Sequence, residues 1–409
     1  MSVPLPAHRR LPRSLYLHIP FCHRRCFYCD FPVVPLGDHA DGSRSASVEH
    51  YLDQLLLDLA AAPAGPPLST LYIGGGTPSL LTPQQLQLLL QAVRSHWGLA
   101  PGAELTLEMD PASFDLERLQ AVLALGVNRV SLGGQSFDDQ VLEGLGRRHR
   151  ALHLLQSCAW LRQAQEQGDL QSWSLDLIVN LPGQTPQAWA WELEQALEQR
   201  PPHLSIYDLI VEPGTVFERR QQVGQLPLPD QDAAADQLEH CHQRLAQAGY
   251  GHYEISSWAL PGHGSRHNRV YWSGASWWAL GLGATAGVGG EREARPRTRE
   301  AYGAWLQQRA GHQGLGDPGA LPPLEDLLLV GLRRREGVDL AWLEQALGLA
   351  QPLNLLLRPV LEPWLQQGCI ALSGNRLRLV APQGFALSNA VLADLLLALE
   401  PVAPIAPIG

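Results

Sequence analysis

The 409-residue sequence contains no lysine, so all 30 of its basic residues are arginines. This absence excludes enzymes that form a Schiff base on lysine and phosphate-binding loops that need the Walker lysine. Acidic residues outnumber basic ones, and the formal net charge is −10. Such a charge argues against general binding of nucleic acids, because that binding depends on neutralising phosphates.

Long apolar runs and paired cysteines are also scarce. No stretch reaches the length of a membrane span, and the first thirteen residues carry three arginines without the apolar core of a signal peptide. Three of the six cysteines, Cys158, Cys241 and Cys369, are isolated in the sequence, which favours a reducing compartment over a disulfide scaffold. We therefore expect a cytoplasmic protein that is not transmembrane.

Short apolar runs alternate with longer amphipathic segments over the first 250 residues. The runs predict strands at 15–19, 70–73, 105–108, 129–132, 174–179 and 204–209, and the segments predict helices that include 48–62, 83–97, 116–125 and 186–198. Alternation of this kind is typical of βαβ units and a parallel sheet. About six units suit either an open doubly wound sheet or a partial barrel, in which functional residues belong at the carboxyl ends of the strands.

The rest of the chain has a different composition, and we divide it accordingly. We expect a flexible N-terminus at 1–13, the α/β domain at 14–255, a Gly- and Trp-rich extension with a linker at 256–315, a smaller domain at 316–400 and a tail at 401–409. The smaller domain has Leu-rich helices near 324–332, 341–347 and 353–367, followed by a hairpin at 369–380 with Gly374-Asn375 as its turn. Helices followed by a hairpin indicate a winged-helix-like module.

Three cysteines lie within eight residues of one another in "HIPFCHRRCFYCDF", directly after the first predicted strand. A disulfide would join only two of Cys22, Cys26 and Cys29. A tetrahedral zinc site would need a fourth ligand, for which His18 and His23 are candidates. An iron–sulfur cluster usually takes four thiolates, so three cysteines would leave one iron open to another ligand.

Glycines and polar residues follow several of the predicted strands. "YIGGGTPSLL" places three glycines after a strand, where backbone amides approach a ligand closely. Each polar residue, taken alone, suits a solvated loop or a helix cap. Together, carboxylates and amides suit ribose hydroxyls, and an arginine suits a carboxylate; the residues are Glu108, Gln135, Arg147 and Asp176.

The spacing C-x3-C-x2-C, followed by the glycine motif, resembles the radical S-adenosylmethionine (SAM) superfamily. That resemblance implies a partial (β/α)6 barrel, with a smaller helical, winged-helix-like domain at its C-terminal side. It also implies a [4Fe–4S] cluster on Cys22, Cys26 and Cys29, whose open iron SAM chelates. The residues implied to contact SAM or lie beside the cluster are Tyr16, Tyr28, Gly75, Gly76, Thr77, Glu108, Gln135, Arg147, Asp176 and Ile210.

Further motifs resemble one branch of that superfamily, which contains oxygen-independent coproporphyrinogen III oxidases and the HemW heme chaperones. They are "YLHIPFC", "VNRVSLGGQSF", "LGRRH", "DLIVNLPGQT" and "HLSIYDLIVEPGT". Phe31 stands where the oxidases usually have a further cysteine, and "HNRVYW" matches a heme-binding signature associated with the chaperones. These features imply a heme chaperone without oxidase activity, although it could still cleave SAM.

The same resemblance implies heme as cargo, an acceptor protein and an electron donor for the cluster. His267, Tyr271 and Trp272 are the candidate heme residues. Histidine beside aromatic residues also suits a buried core position, and this alternative stays open. The arginines between Arg292 and Arg299 suit the propionates of heme or of coproporphyrinogen, and they equally suit a solvated loop. Oxidative decarboxylation of coproporphyrinogen is the alternative function.

Overall fold

The computed structural model describes residues 11–37, 42–43, 45–309, 317 and 319–399. The expectation of a flexible N-terminus falls mostly on residues 1–10, and the expected tail falls on 401–409. Both segments lie outside the described residues.

The elements follow one another along the whole chain. The strands are β1 (Ser14–Ile19), β2 (Phe21–Cys22), β3 (Val34–Pro35), β4 (Leu68–Gly75), β5 (Leu99–Met109), β6 (Arg129–Gln135), β7 (Ser172–Val179), β8 (His203–Asp208), β9 (Gly251–Glu254), β10 (Ser257–Ala259), β11 (Trp278–Leu280), β12 (Thr285–Val288), β13 (Glu291–Ala294), β14 (Val338–Asp339), β15 (Ile370–Ser373) and β16 (Arg376–Leu379). The helices are α1 (Ala46–Ala60), α2 (Pro83–His96), α3 (Leu116–Ala124), α4 (Asp139–Gly144), α5 (Ala151–Gln167), α6 (Pro186–Glu198), α7 (Val216–Gln222), α8 (Gln231–Gln247), α9 (Arg266–Trp272), α10 (Arg299–Arg309), α11 (Leu324–Gly331), α12 (Leu340–Leu347), α13 (Leu353–Leu356), α14 (Arg358–Gln366), α15 (Gln383–Ala386) and α16 (Ser388–Leu399).

The main sheet has the strand order β11-β1-β4-β5-β6-β7-β8-β10-β9. From β11 to β8 the neighbouring strands are parallel, and β10 and β9 add an antiparallel edge. The six predicted strands are the six consecutive parallel strands from β1 to β8 in this order, so the expected α/β fold is confirmed. Strand β11 was not predicted; it pairs with β1, with Leu15 opposite Trp278.

The sheet is curved around a polar interior. Gly75 on β4 and Asp176 on β7 are three strands apart, yet both line one cavity. In a flat sheet that separation would be about 14 Å. Successive side chains of β1 point to the two faces of the sheet. Leu15, Leu17 and Ile19 are fully buried in the apolar core between the sheet and the helices. The Tyr16 ring lies on the other face, against Tyr72. The interior therefore presents polar side chains.

Helix starts in the β-to-α loops follow from the local sequence. Thr82 and Gln85 form a capping box at the start of α2, with Pro83 in the first turn. Asp115 and Thr185 accept hydrogen bonds from backbone amides at the starts of α3 and α6. No helix among the described residues has both the length and the apolar character needed to cross a membrane.

The C-terminal segment has an apolar core of its own, built from α11 to α16 and a three-stranded sheet. Its strand order is β14-β16-β15, and the predicted hairpin is formed by β15 and β16, with Gly374 at a φ of 60° in the turn. The single helix expected at 353–367 is two helices, α13 and α14, because Pro359 and the change of direction at Leu357 start a second helix.

Candidate functional site

A cavity of about 430 Å³ opens at the carboxyl ends of the parallel strands. Its volume lies in the range typical of small-molecule sites. Nearly every residue predicted to hold the cluster or SAM lines it: Cys22, Cys26, Cys29, Tyr28, Gly75, Gly76, Thr77, Glu108, Gln135, Arg147, Asp176 and Ile210. These residues span almost 190 positions of sequence, and the parallel strands bring them to one edge of the sheet.

The cysteine loop lies at the mouth of this cavity. Leu36 donates its backbone N–H to Cys22 O at 2.8 Å, and Cys29 N–H reaches Cys26 O at 3.3 Å, so the loop folds back on itself. The three thiols are free. Burial raises the pKa of the Cys22 thiol to about 12; a bound cation reverses that preference and deprotonates the ligand.

The glycine segment packs directly against the cysteine loop. Thr77 donates its N–H to Phe21 O at 2.6 Å. Gly75 has a φ of 120°, which favours glycine, and a Cβ at Gly76 would lie 2.8 Å from Cys22 Sγ. Glycine is therefore required here so that the backbone can approach the sulfur closely.

Glu108 is the carboxylate at the end of β5. Tyr72 donates its hydroxyl to Oε1 at 2.8 Å, and the Gly75 N–H reaches Oε2 at 2.9 Å. Burial raises the pKa of Glu108 to about 7, although these two hydrogen bonds oppose the rise. Tyr72 was not predicted as a site residue. The signal that points to it is its position on β4, two residues before the glycine motif and on the strand next to that of Glu108.

Arg147 links the end of the sheet to the cysteine loop. Its Nη2 donates to Asp110 Oδ2 at 2.5 Å and to Gly133 O at 2.8 Å, and its Nη1 lies 3.8 Å from Cys26 Sγ. Burial opposes ionisation of Asp110, but Arg147 and then His149 outweigh it, so the pKa of Asp110 lies well below its ordinary value. The buried Arg147 Nε has no hydrogen-bond partner among the described residues.

Asp176 is held by serines from three neighbouring strands. Ser131 on β6 donates to Oδ2 at 2.7 Å and Ser174 on β7 donates to Oδ1 at 2.6 Å, while Ser205 on β8 is hydrogen-bonded to Ser174 Oγ at 3.0 Å. Burial raises the pKa of Asp176, and the serines oppose that rise. The serines were not predicted as site residues. Polar residues that alternate with apolar ones inside central strands are the signal that could have found them.

Of the residues predicted to lie beside the cluster or SAM, Tyr16 differs from the rest in position. Gln135 lines the cavity with a φ of 66°, and its Nε2 lies beside the Arg147 guanidinium above Gly133. Tyr16 does not line this cavity: its hydroxyl is hydrogen-bonded to His18 Nδ1 at 3.1 Å, and its ring lies against Tyr72. Phe31 lines the cavity and is 54% exposed.

The donor set fits a cluster better than a single metal ion. Within the ranges that the structure describes, no three or more His, Cys, Asp or Glu side chains gather as ligands of one ion would. A cubane differs because each thiolate binds a different iron, so the sulfurs surround a volume and share no single point. The unpaired Arg147 Nε, the close glycine backbone and the two carboxylates provide groups for an amino acid and a ribose beside it.

The predicted heme residues lie at the other end of the curved sheet. His267 on α9 is 1% exposed, with Nδ1 hydrogen-bonded to Thr70 Oγ1 and Nε2 to the Tyr271 hydroxyl, each at 2.8 Å. Burial lowers the pKa of His267 to about 3, so the imidazole is neutral at pH 7. A neutral imidazole has one donor and one acceptor nitrogen, and both are occupied here. Iron ligation by His267 would require one of these bonds to break.

Tyr271 and Trp272 line a second cavity of about 300 Å³. It lies between the end of α9, the β12–β13 hairpin and α11 of the C-terminal segment. Its charged lining residues are Glu291, Arg292, Asp326 and Arg333. His267 is not among the lining residues, because it lies behind Tyr271, with its ring stacked on Tyr72 at 5.1 Å.

Comparison with known proteins agrees with this geometry. The sequence profile of the radical SAM superfamily matches residues 16–195, and that of the HemN C-terminal domain matches residues 323–386. The protein named heme chaperone HemW of Synechocystis is 43% identical, covering 81% of each chain. That of Mycobacterium tuberculosis is 36% identical over 94% of this chain and 95% of its own. The HemW of Escherichia coli is 41% identical over 67% of this chain.

A solved structure shares the fold over nearly the whole length. Coproporphyrinogen III oxidase (HemN) from Escherichia coli superposes with a TM-score of 0.76 and covers 95% of this chain and 91% of its own. Its sequence identity is 24%, so the likeness concerns the fold alone.

Proposed function

Since the chain belongs to the radical SAM superfamily and, within it, to the HemW family, we propose that it is a heme chaperone. It binds heme and transfers it to an acceptor protein, and it holds a [4Fe–4S] cluster with SAM in the first cavity. The observation that carries the cofactor assignment is the convergence of three cysteines, a glycine backbone and polar strand ends on that one cavity.

Each group of residues has a separate task in this proposal. Cys22, Cys26 and Cys29 anchor the cluster, and the Gly75–Thr77 backbone receives the amino end of SAM. Arg147 offers a guanidinium to a carboxylate, and Asp176 receives ribose hydroxyls. When bound there, the cluster and SAM supply one-electron chemistry; an electron donor for the cluster is therefore a further partner that this function needs.

Heme binding in this proposal involves the second cavity. Tyr271 and Trp272 face the second cavity, where aromatic rings can pack on a porphyrin. His267 supports α9 from behind, and it becomes an axial ligand only if it gives up its bond to Tyr271 or Thr70. Replacing His267 by Ala tests the assignment: loss of an imidazole ligand changes the position of the heme absorption band, whereas loss of support alone lowers affinity and leaves the band unchanged.

The test of the function compares cargo binding with catalysis in the same preparation. Anaerobically reconstituted protein is titrated with heme, and separately incubated with coproporphyrinogen III, SAM and a reductant. We expect about one heme per chain and no protoporphyrinogen. The Cys22→Ala variant serves as a control without a complete cluster, and Cys369→Ala as a control with one.

Either of two results contradicts the proposal. Formation of protoporphyrinogen that depends on Cys22 assigns the protein to the oxidases, the alternative function. Failure of the reconstituted protein to bind heme at stoichiometric concentrations removes the cargo on which the chaperone function depends.

A further inference from the structure

The second cavity combines an aromatic wall with two guanidinium groups. Tyr271 and Trp277 meet edge to face with ring centroids 5.0 Å apart, and Trp277 Nε1–H donates to Thr285 O at 2.8 Å. A Cβ at Gly287 would lie 2.5 Å from the Trp277 ring, so glycine at this position lets the indole lie flat against the hairpin. The wall is held in place before any ligand arrives.

Arg333 supplies a cation that no carboxylate in the described part of the chain neutralises. Its Nη2 donates to the amide oxygen of Asn389 at 3.1 Å, and its guanidinium lies 5.8 Å from the centre of the Trp272 ring. Its Nε is buried without a hydrogen-bond partner. Partial burial of the guanidinium lowers the pKa of Arg333. A carboxylate entering the cavity would offset the cost of that burial.

Arg292 on β13 is the second guanidinium, and it already has a partner. Its Nη2 lies 3.7 Å from Asp326 Oδ2 on α11, and both side chains are partly exposed. A contact of this length and exposure is weak. A ligand carboxylate in a charge-assisted hydrogen bond can therefore replace Asp326 without a large loss.

We propose that this cavity binds the acidic edge of a flat aromatic carboxylate. One ligand carboxylate replaces Asp326 as the partner of Arg292, and another neutralises Arg333. The ligand in the proposed function is heme, on whose cargo role this inference rests, and its propionates are the acidic groups. A porphyrin is larger than the cavity, so only its propionate edge enters and the remainder stays accessible. An acceptor protein needs that accessibility. Occupancy also breaks the ion pair between the β12–β13 hairpin and the C-terminal segment.

Four variants of the full-length protein test the exchange by absorption titration with iron protoporphyrin IX. Arg333→Gln loses a charge-assisted bond and should weaken binding about tenfold. Arg292→Gln should weaken it also. Asp326→Asn removes the competing carboxylate and should tighten binding by up to about fivefold. Arg376→Gln is the matched control, since Arg376 forms a similar ion pair of 3.5 Å with Asp339 away from the cavity.

A second probe separates charge recognition from packing. The dimethyl ester of iron protoporphyrin IX has the same ring without carboxylates, so Arg333→Gln should leave its affinity unchanged. Thermal denaturation of each variant checks that it is folded.

The outcomes separate this inference from the proposed function. If the wild type binds heme and both arginine variants bind it equally well, heme lies elsewhere and the inference is wrong while the chaperone function stands. If Asp326→Asn weakens binding, the exchange at Arg292 is wrong. If the wild type does not bind heme, the proposed function itself fails.

Discussion

Glu108 should make the cofactor-free protein less stable as the pH rises, and Glu108→Gln should remove that dependence. The folded carboxyl has a pKa of about 7, raised from its ordinary value of 4.5 by burial. Between these pH values the unfolded chain has released a proton that the folded chain retains. The folded state therefore loses stability as the pH rises from 4.5 to 7, and the loss is complete above pH 7.

The size of the effect follows from the same two pKa values. The difference between them corresponds to a decrease of about 3 kcal/mol in the free energy of unfolding from low to high pH. Glu108 lines a cavity that is open to water, which reduces the penalty, so we expect about 1–3 kcal/mol. Glutamine keeps an oxygen for the Tyr72 hydroxyl, but its amide group faces the Gly75 N–H, so the variant also carries a loss that is the same at every pH.

The assay therefore compares how the free energy of unfolding changes with pH in the wild type and in the variant. Denaturant titrations of cofactor-free wild type and Glu108→Gln at pH 5 and pH 8 give four free energies of unfolding. From pH 5 to pH 8 the variant should gain about 1–3 kcal/mol relative to the wild type. Glu166→Gln, on the exposed face of α5, is the control and should show no such change. If the difference between wild type and Glu108→Gln is the same at both pH values, Glu108 is not desolvated and the reasoning fails.

Three further predictions concern the cluster, SAM and the fold. Alanine at any one of the cluster cysteines should abolish incorporation of about four irons per chain, measured by iron and sulfide analysis; an essential role for Cys158, Cys241 or Cys369 would contradict the assignment. Asp176→Ala should weaken SAM binding about tenfold in equilibrium dialysis with iron content unchanged, since its carboxylate is held by serines and is not one of the cluster ligands; equal affinity would remove its assigned role. Asp58→Ala should lower the free energy of unfolding by about 2–4 kcal/mol. The buried Arg295 loses its 3.0 Å contact to Asp58 and keeps a 3.4 Å contact to Glu293, and the Tyr302 hydroxyl loses its acceptor. The exposed Glu194→Ala, which loses a contact to Arg244, should cost less than about 1 kcal/mol, and equal losses in the two variants would refute this account.

The sequence alone determined the parallel strands and the edge at which the site lies. Short apolar runs separated by amphipathic segments of helical length are visible in the local sequence, and they predict βαβ units whatever the partner of each strand. Parallel strands then bring their carboxyl ends together, so Glu108 and Asp176 were predicted to meet from their positions in the chain. The glycine motif was also predicted to let the backbone approach a ligand closely; the structure adds that this backbone lies against Cys22 Sγ.

Only the tertiary structure decided which partners these residues have. Arg147 contacts Asp110 and Cys26, and Cys26 is 121 residues away in sequence. His267 reaches Thr70 across 197 residues, so its imidazole points into the sheet interior and Tyr271 faces the second cavity. No local sequence pattern predicts these contacts, because they depend on the curvature of the sheet and on how α9 packs against the amino-terminal ends of the strands. A histidine beside aromatic residues has the same sequence whether its nitrogens face a ligand or a neighbouring strand, and only the packing around it distinguishes the two.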